Sequence, residues 1–203
     1  MDDKSNTYYS ASIAVAICGM DFCMLATDVK TKQNIIKVND NILFGGVGNF
    51  WNDEEIYEPI KHRMNDRLSI VDAVELTEKY MYDNLAYVMT MKRNYFITGR
   101  DNDGIFYLIR VSLNEEEKSV QVISYVPKDK KQLANMIALP NSLNDIAYVS
   151  KYNSMLNMIC RDSECIPDVY LGCAKIIKEA AKDDTSQSIS DKLSLLTLRT
   201  TEL

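Results

Sequence analysis

The chain has 203 residues, 46% of them hydrophobic and 26% charged, with a formal net charge of -6. That length suits a single domain with a substantial core, and the acidic balance argues against a nucleic-acid partner, which calls for a basic face. The longest apolar runs, residues 13–18 and 22–26, fall short of the roughly 18–20 residues a membrane-crossing helix needs, so no membrane partner is expected.

The opening Met1-Asp-Asp-Lys-Ser-Asn-Thr is polar and acidic, unlike a signal peptide. A cytoplasmic location is therefore expected, with the nucleus added in a eukaryote. Residues 1–9 read as an extension and residues 10–203 as one domain. Residues 12–18 are apolar at both parities, with Ile13, Val15 and Ile17 on one side and Ala14, Ala16 and Cys18 on the other. A strand apolar on both faces is covered on both faces. Residues 22–28 have the same character and pair with it across Gly19-Met20-Asp21. Residues 34–38 and 41–46 form a second hairpin through the turn dipeptide Asn39-Asp40.

Helical spacing follows. Ile56, Ile60 and Met64 mark a helix over 52–66. Ser69-Ile-Val-Asp72 is an aspartate version of a capping box. From it, Ile70, Ala73, Val74, Thr77, Tyr80, Met81, Leu85 and Val88 predict one long amphipathic helix over 69–89. Strands return at 94–99 and 104–111, joined through Asp103-Gly104, a strong hairpin signal. A third strand at 118–126 follows the solvated tip Glu115-Glu-Glu117. Helices are predicted at 142–160 and 167–182, and a final strand at 188–199.

Four strands, two helices, three strands, two helices and a last strand do not alternate singly, as a doubly wound parallel sheet requires. The order predicts an α+β protein built as a four-layer αββα sandwich. Two antiparallel sheets stack face to face, with helices outside.

The five cysteines have no zinc-like spacing and are expected to be reduced thiols. The single histidine, His62, lies in the charged stretch Lys61-His-Arg-Met64 and reads as a surface residue. No metal or cofactor is expected.

Several segments, taken in order, resemble the proteasome β-type subunits and the related bacterial HslV peptidases, which are N-terminal nucleophile hydrolases. Asp21-Phe-Cys-Met-Leu-Ala-Thr-Asp28 is similar to that family's second strand and its terminal aspartate. Asn34-Ile-Ile-Lys-Val-Asn39 is similar to the third strand, and Phe44-Gly-Gly-Val-Gly48 to a glycine turn. Phe96-Ile-Thr-Gly99 with Asp101 and Gly104 is similar to a later hairpin. Lys182-Asp183 with Ser186 is similar to an Arg-Asp-x-x-Ser-Gly element.

The resemblance implies chemistry in which an N-terminal hydroxyl attacks a peptide carbonyl, with its own α-amine as base. It places the nucleophile at Ser12, or at Ser10 if two residues are inserted. Asp28 takes the aspartate position, Asn34 the position of the catalytic lysine, and Gly46 or Gly48 the oxyanion turn. Asp183 and Ser186 form a supporting pair, with Gln187 where a glycine is expected. An amide at residue 34 carries no charge, and neither serine follows a glycine. The expected protein is thus a non-catalytic β-type subunit serving ring assembly for protein degradation. Its partners would be α- and β-type subunits in stacked rings. The alternative is an active serine peptidase matured at Ser10 or Ser12.

Overall fold

The computed structural model describes residues 13–29, 35–47, 62–65, 67–91, 94–129, 132–163, 165–187 and 189–200. Two antiparallel sheets make up its centre. In chain order the strands are β1 (Ala14–Cys18), β2 (Phe22–Asp28), β3 (Ile35–Asn39), β4 (Ile42–Val47), β5 (Asn94–Arg100), β6 (Phe106–Asn114), β7 (Ser119–Tyr125), β8 (Ala134–Ala138) and β9 (Leu193–Arg199). The first sheet has the order β8-β1-β2-β9 and the second β3-β4-β5-β6-β7. The helices are α1 (Ile70–Asp83), α2 (Leu85–Met91), α3 (Ile146–Asp162) and α4 (Ile166–Asp183).

The two parities of β1 go to different layers. Ile13, Val15 and Ile17 pack with Tyr152 and Leu156 of α3 and with Cys173 and Ile176 of α4. Ala14, Ala16 and Cys18 face the second sheet, where Phe96, Phe106 and Leu108 fill the space between the sheets. Small residues on one face and branched ones on the other suit a strand lying between a sheet and a helix layer. Burying each large aliphatic side chain here stabilises the fold by about 1.5–3 kcal/mol. A third cluster joins Phe44, Tyr95, Ile97 and Val111 on the far face of the second sheet to Ile70, Ala73 and Met81 of α1. The layers therefore run α3/α4, first sheet, second sheet, α1.

The Ser69 cap forms as the sequence predicts. The Asp72 amide donates to Ser69 Oγ at 3.2 Å, and the Ser69 amide donates to Asp72 Oδ2 at 2.9 Å. The single helix expected over 69–89 is divided. Asn84 leaves helical geometry at φ -120°, ψ 28°, and its side-chain amide donates to the Tyr80 carbonyl at 3.0 Å. Such a local side-chain bond competes with the helical ladder, and apolar spacing does not register it.

One strand escapes the sequence pattern. Residues Ala134–Ala138 form β8, which pairs with β1 from Ala14↔Ala138 to Cys18↔Ala134. The five residues Ala-Asn-Met-Ile-Ala show neither alternation nor β-branched enrichment, so nothing local marks them. The helix expected over 52–66 falls mostly outside the described residues.

Two glycines do specific work in the β5–β6 hairpin. Gly104 has φ +80°, the left-handed region open to glycine. Gly99 leaves room for the Asn41 carbonyl, which a β-carbon would approach to 2.0 Å. Asp101 orders the turn by accepting from the Asp103 and Ile105 amides, both at 2.9 Å, and from the Tyr107 hydroxyl at 3.0 Å.

Candidate functional site

Asp28 ends β2 with only 1% of its surface exposed. Its Oδ1 accepts the Ile13 amide and its Oδ2 the Ser190 amide, both at 3.0 Å. Next to it, the Thr27 hydroxyl donates to the Ile13 carbonyl at 2.8 Å. The backbone ladder between β1 and β2 is registered only to Ala14↔Thr27. Two side chains therefore complete the pairing one residue further, holding both the N–H and the C=O of Ile13. Buried backbone groups must find such partners, because leaving one unpaired costs about 1–3 kcal/mol. The carboxylate thus fixes where the chain enters β1, the place at which the sequence puts Ser12 and Ser10.

The loop that supplies Ser190 is shaped by a second buried aspartate. Asp184 is 3% exposed and follows α4 directly. Its Oδ1 accepts from the Ser186 amide at 3.2 Å and from the Ser186 hydroxyl, and its Oδ2 accepts the Ile189 amide at 2.8 Å. Its carbonyl receives the Gln187 amide at 3.0 Å. Gln187 stands at φ +54°, a left-handed conformation that glycine adopts without strain. This is the position where the sequence comparison expects a glycine. Asp184 folds the loop, the loop delivers the Ser190 amide, and Asp28 receives it.

Asp183 and Ser186, expected as a supporting pair, have different partners. The Asp183 carboxylate lies over the outer helices, where Lys151 Nζ forms an ion pair with it and the Tyr152 hydroxyl donates to it at 2.6 Å. The partner of Ser186 is Asp184, one residue later. Helical periodicity explains the difference. Asp183 is the last residue of α4 and faces α3, whereas Asp184 has left the helix and turns inward. The Asp-x-Ser spacing of residues 184–186 is a local turn signal that identifies Asp184 from sequence. Ser190 carries no such signal, because it contributes a backbone amide.

The Asp183 cluster has its own measurable consequence. Hydrogen bonds from Lys151, then from Tyr152, hold the Asp183 carboxyl below the ordinary aspartate value of 3.8, while burial and the same bond push the Tyr152 phenol up. Lowering the folded-state value favours the native protein above the unfolded-state value. The contribution is complete well above pH 3.8 and is lost as the pH falls through the folded value. Tyr152 is fully buried. Tyr152→Phe is expected to cost about 1.5–3 kcal/mol in urea unfolding at pH 7, the usual worth of a hydrogen bond to a charged group. The cost is expected to shrink below pH 4 as the carboxylate is protonated.

The other expected site residues are distributed differently. Gly46 is a buried strand residue within β4, opposite Tyr95 of β5, and not part of a turn. Ser10, Ser12, Asn34 and Gly48 lie outside the described residues. His62 is exposed. Burial pushes the Cys18 thiol far up, and those of Cys23, Cys160 and Cys173 to about 12, so these four are not thiolates near neutral pH. Beside the Asp184 loop, Lys178, Lys182, Gln187 and Ser190 line an open hollow. Lys182 is ion-paired to Glu179 at its rim.

Comparison with known proteins gives a likeness of fold. A chain of the Anbu complex from Pseudomonas aeruginosa, solved as a helical assembly, superposes with a TM-score of 0.63 at 14% identity. The match covers 92% of this chain and 81% of that one. The two share a fold. No protein-family model matches the sequence, and no curated protein matches it. That overturns the assignment to the proteasome β-type and HslV family suggested by the segments around Asp28, Gly48 and Asp183.

Proposed function

We propose that the chain is a non-catalytic building block of a proteasome-like, multi-subunit assembly. The observation that carries this reading is the Asp28 carboxylate. Both of its oxygens accept backbone amides, so it acts as a tie between β1 and the loop after α4. A carboxylate used in this way orders the chain where it enters β1. The uncharged Asn34 is consistent with the same role, because an amide cannot lower the pKa of a neighbouring hydroxyl through charge.

Two features support assembly. The solved structure of similar fold is described as a helical assembly. In this chain, large apolar side chains stand exposed on the outer helices. Val71 and Tyr82 lie on α1, and Ile146 and Met158 on α3, with Tyr170 and Leu171 on α4. Met158, Tyr170 and Leu171 flank the contact between Ile159 and Gly172 that brings α3 against α4. Exposed apolar groups gathered on one hairpin mark an interaction surface.

Mass photometry and intact-mass analysis of the full chain test both halves of the proposal. The expected result is a concentration-dependent oligomer whose subunits retain residues 1–9 and hydrolyse no peptide. A monomer at every concentration overturns the assembly role. A subunit beginning at Ser10 or Ser12, with hydrolysis abolished by replacing that serine with alanine, overturns the non-catalytic one.

A further inference from the structure

A second polar cleft, far in sequence from Asp28, opens where β7, the edge of the second sheet, meets β8, the edge of the first. Its volume is about 400 Å³, within the range of roughly 300–1,000 Å³ found for small-molecule sites. The Arg110 side chain comes from β6, on the same strand face as Phe106 and Leu108, which fill the space between the sheets. The cleft wall adds Asn94, Tyr125, Asn144 and Asn153, together with Glu115.

Arg110 is the unusual group. Its Nε is buried and has no hydrogen-bond partner among the described residues. Burial pulls its pKa down, and only Tyr125 opposes the shift. Among the described residues, no carboxylate forms an ion pair with this guanidinium. A partly buried guanidinium without a counter-charge carries a desolvation cost that a partner would relieve.

We propose that the cleft binds a carboxylate, with the Arg110 guanidinium gripping its two oxygens and the surrounding amides completing the contacts. The guanidinium fork matches the planar geometry of a carboxylate. One guanidinium balances the single negative charge of a carboxylate. Two sources share this chemistry: a small free acid, and the terminal carboxylate of a polypeptide entering between the two strand edges.

Isothermal titration of the full chain with N-acetyl-trialanine, its C-terminal amide and propionate distinguishes them. The acid is expected to bind and the amide to bind at least about tenfold more weakly, the usual size of a lost charged hydrogen bond. Arg110→Gln should produce the same loss while raising the melting temperature of the free protein, because it removes an uncompensated charge. Arg110→Lys should retain part of the binding. Propionate binding as well as the peptide identifies a small acid, and weaker propionate binding identifies a chain terminus. Failure of both acids to bind overturns the proposal, as does equal binding of the amide or unchanged binding by a folded Arg110→Gln.

Discussion

Asp28→Ala is expected to lower stability by about 3 kcal/mol and to loosen the starts of β1 and β9 together. Two buried amides, those of Ile13 and Ser190, lose their acceptor at once, and each unsatisfied buried group costs about 1–3 kcal/mol. Asp28→Asn preserves the shape and keeps one acceptor oxygen, so about half of that loss is expected. Urea unfolding measures the stability, and amide hydrogen exchange locates the change. Protection should fall at Ile13 and Ser190 before it falls in β5 or β6. A uniform loss across both sheets would assign Asp28 a general packing role in place of a local tie.

A larger effect is expected from Gly99→Ala, which should cost more than about 4 kcal/mol and leave the chain largely unfolded, at the extreme of single-substitution effects. The added β-carbon would meet the Asn41 carbonyl oxygen at 2.0 Å and the Ile42 Cα at 3.0 Å, both of them backbone atoms. That carbonyl cannot withdraw freely, because it accepts the Arg100 amide at 2.9 Å. Gly104→Ala is the matching control. A β-carbon there meets nothing within 4 Å, so only its φ of +80° is penalised, by about 1–2 kcal/mol. Circular dichroism and urea midpoints for the two variants separate a steric limit from a conformational one. Similar midpoints would mean that the β3–β4 turn yields to the added methyl.

Legibility from sequence followed the range of the forces involved. The doubly buried β1, the Ser69 cap and the Asp103-Gly104 hairpin are local patterns, and all three appear as read. The two antiparallel sheets also appear, although the helix expected over 52–66 lies outside the described residues and β8 adds a strand to the second block. The division at Asn84 depends on one side-chain bond to the Tyr80 carbonyl, which competes with helix spacing that continues past it. Strand β8 is held in place by β1, more than a hundred residues earlier, and its own composition is neutral.

At the site, Asp28 was found because a charge ends an apolar strand. The Asp184–Ser186 bond is hard to read because the adjacent aspartates 183 and 184 look alike in sequence and differ only in the side of the helix end they occupy. Ser190 acts through its amide, and no residue type advertises a backbone donor. Arg110 is the only charged residue of β6, and a lone charge in a strand reads from sequence as facing solvent. Only the position of the opposite sheet reveals that it is enclosed.

The placement of β9 has a consequence for how the protein is made. Residues Leu193–Arg199 pair with the entire length of β2, from Phe22↔Arg199 to Asp28↔Leu193. On the ribosome, β2 is complete long before that neighbour has been synthesised. Through most of translation its apolar flank is an open strand edge, able to accept the same segment from another nascent copy as readily as its own. When β9 leaves the exit tunnel it closes the first sheet, and the amide of Ser190 reaches Asp28 just ahead of it.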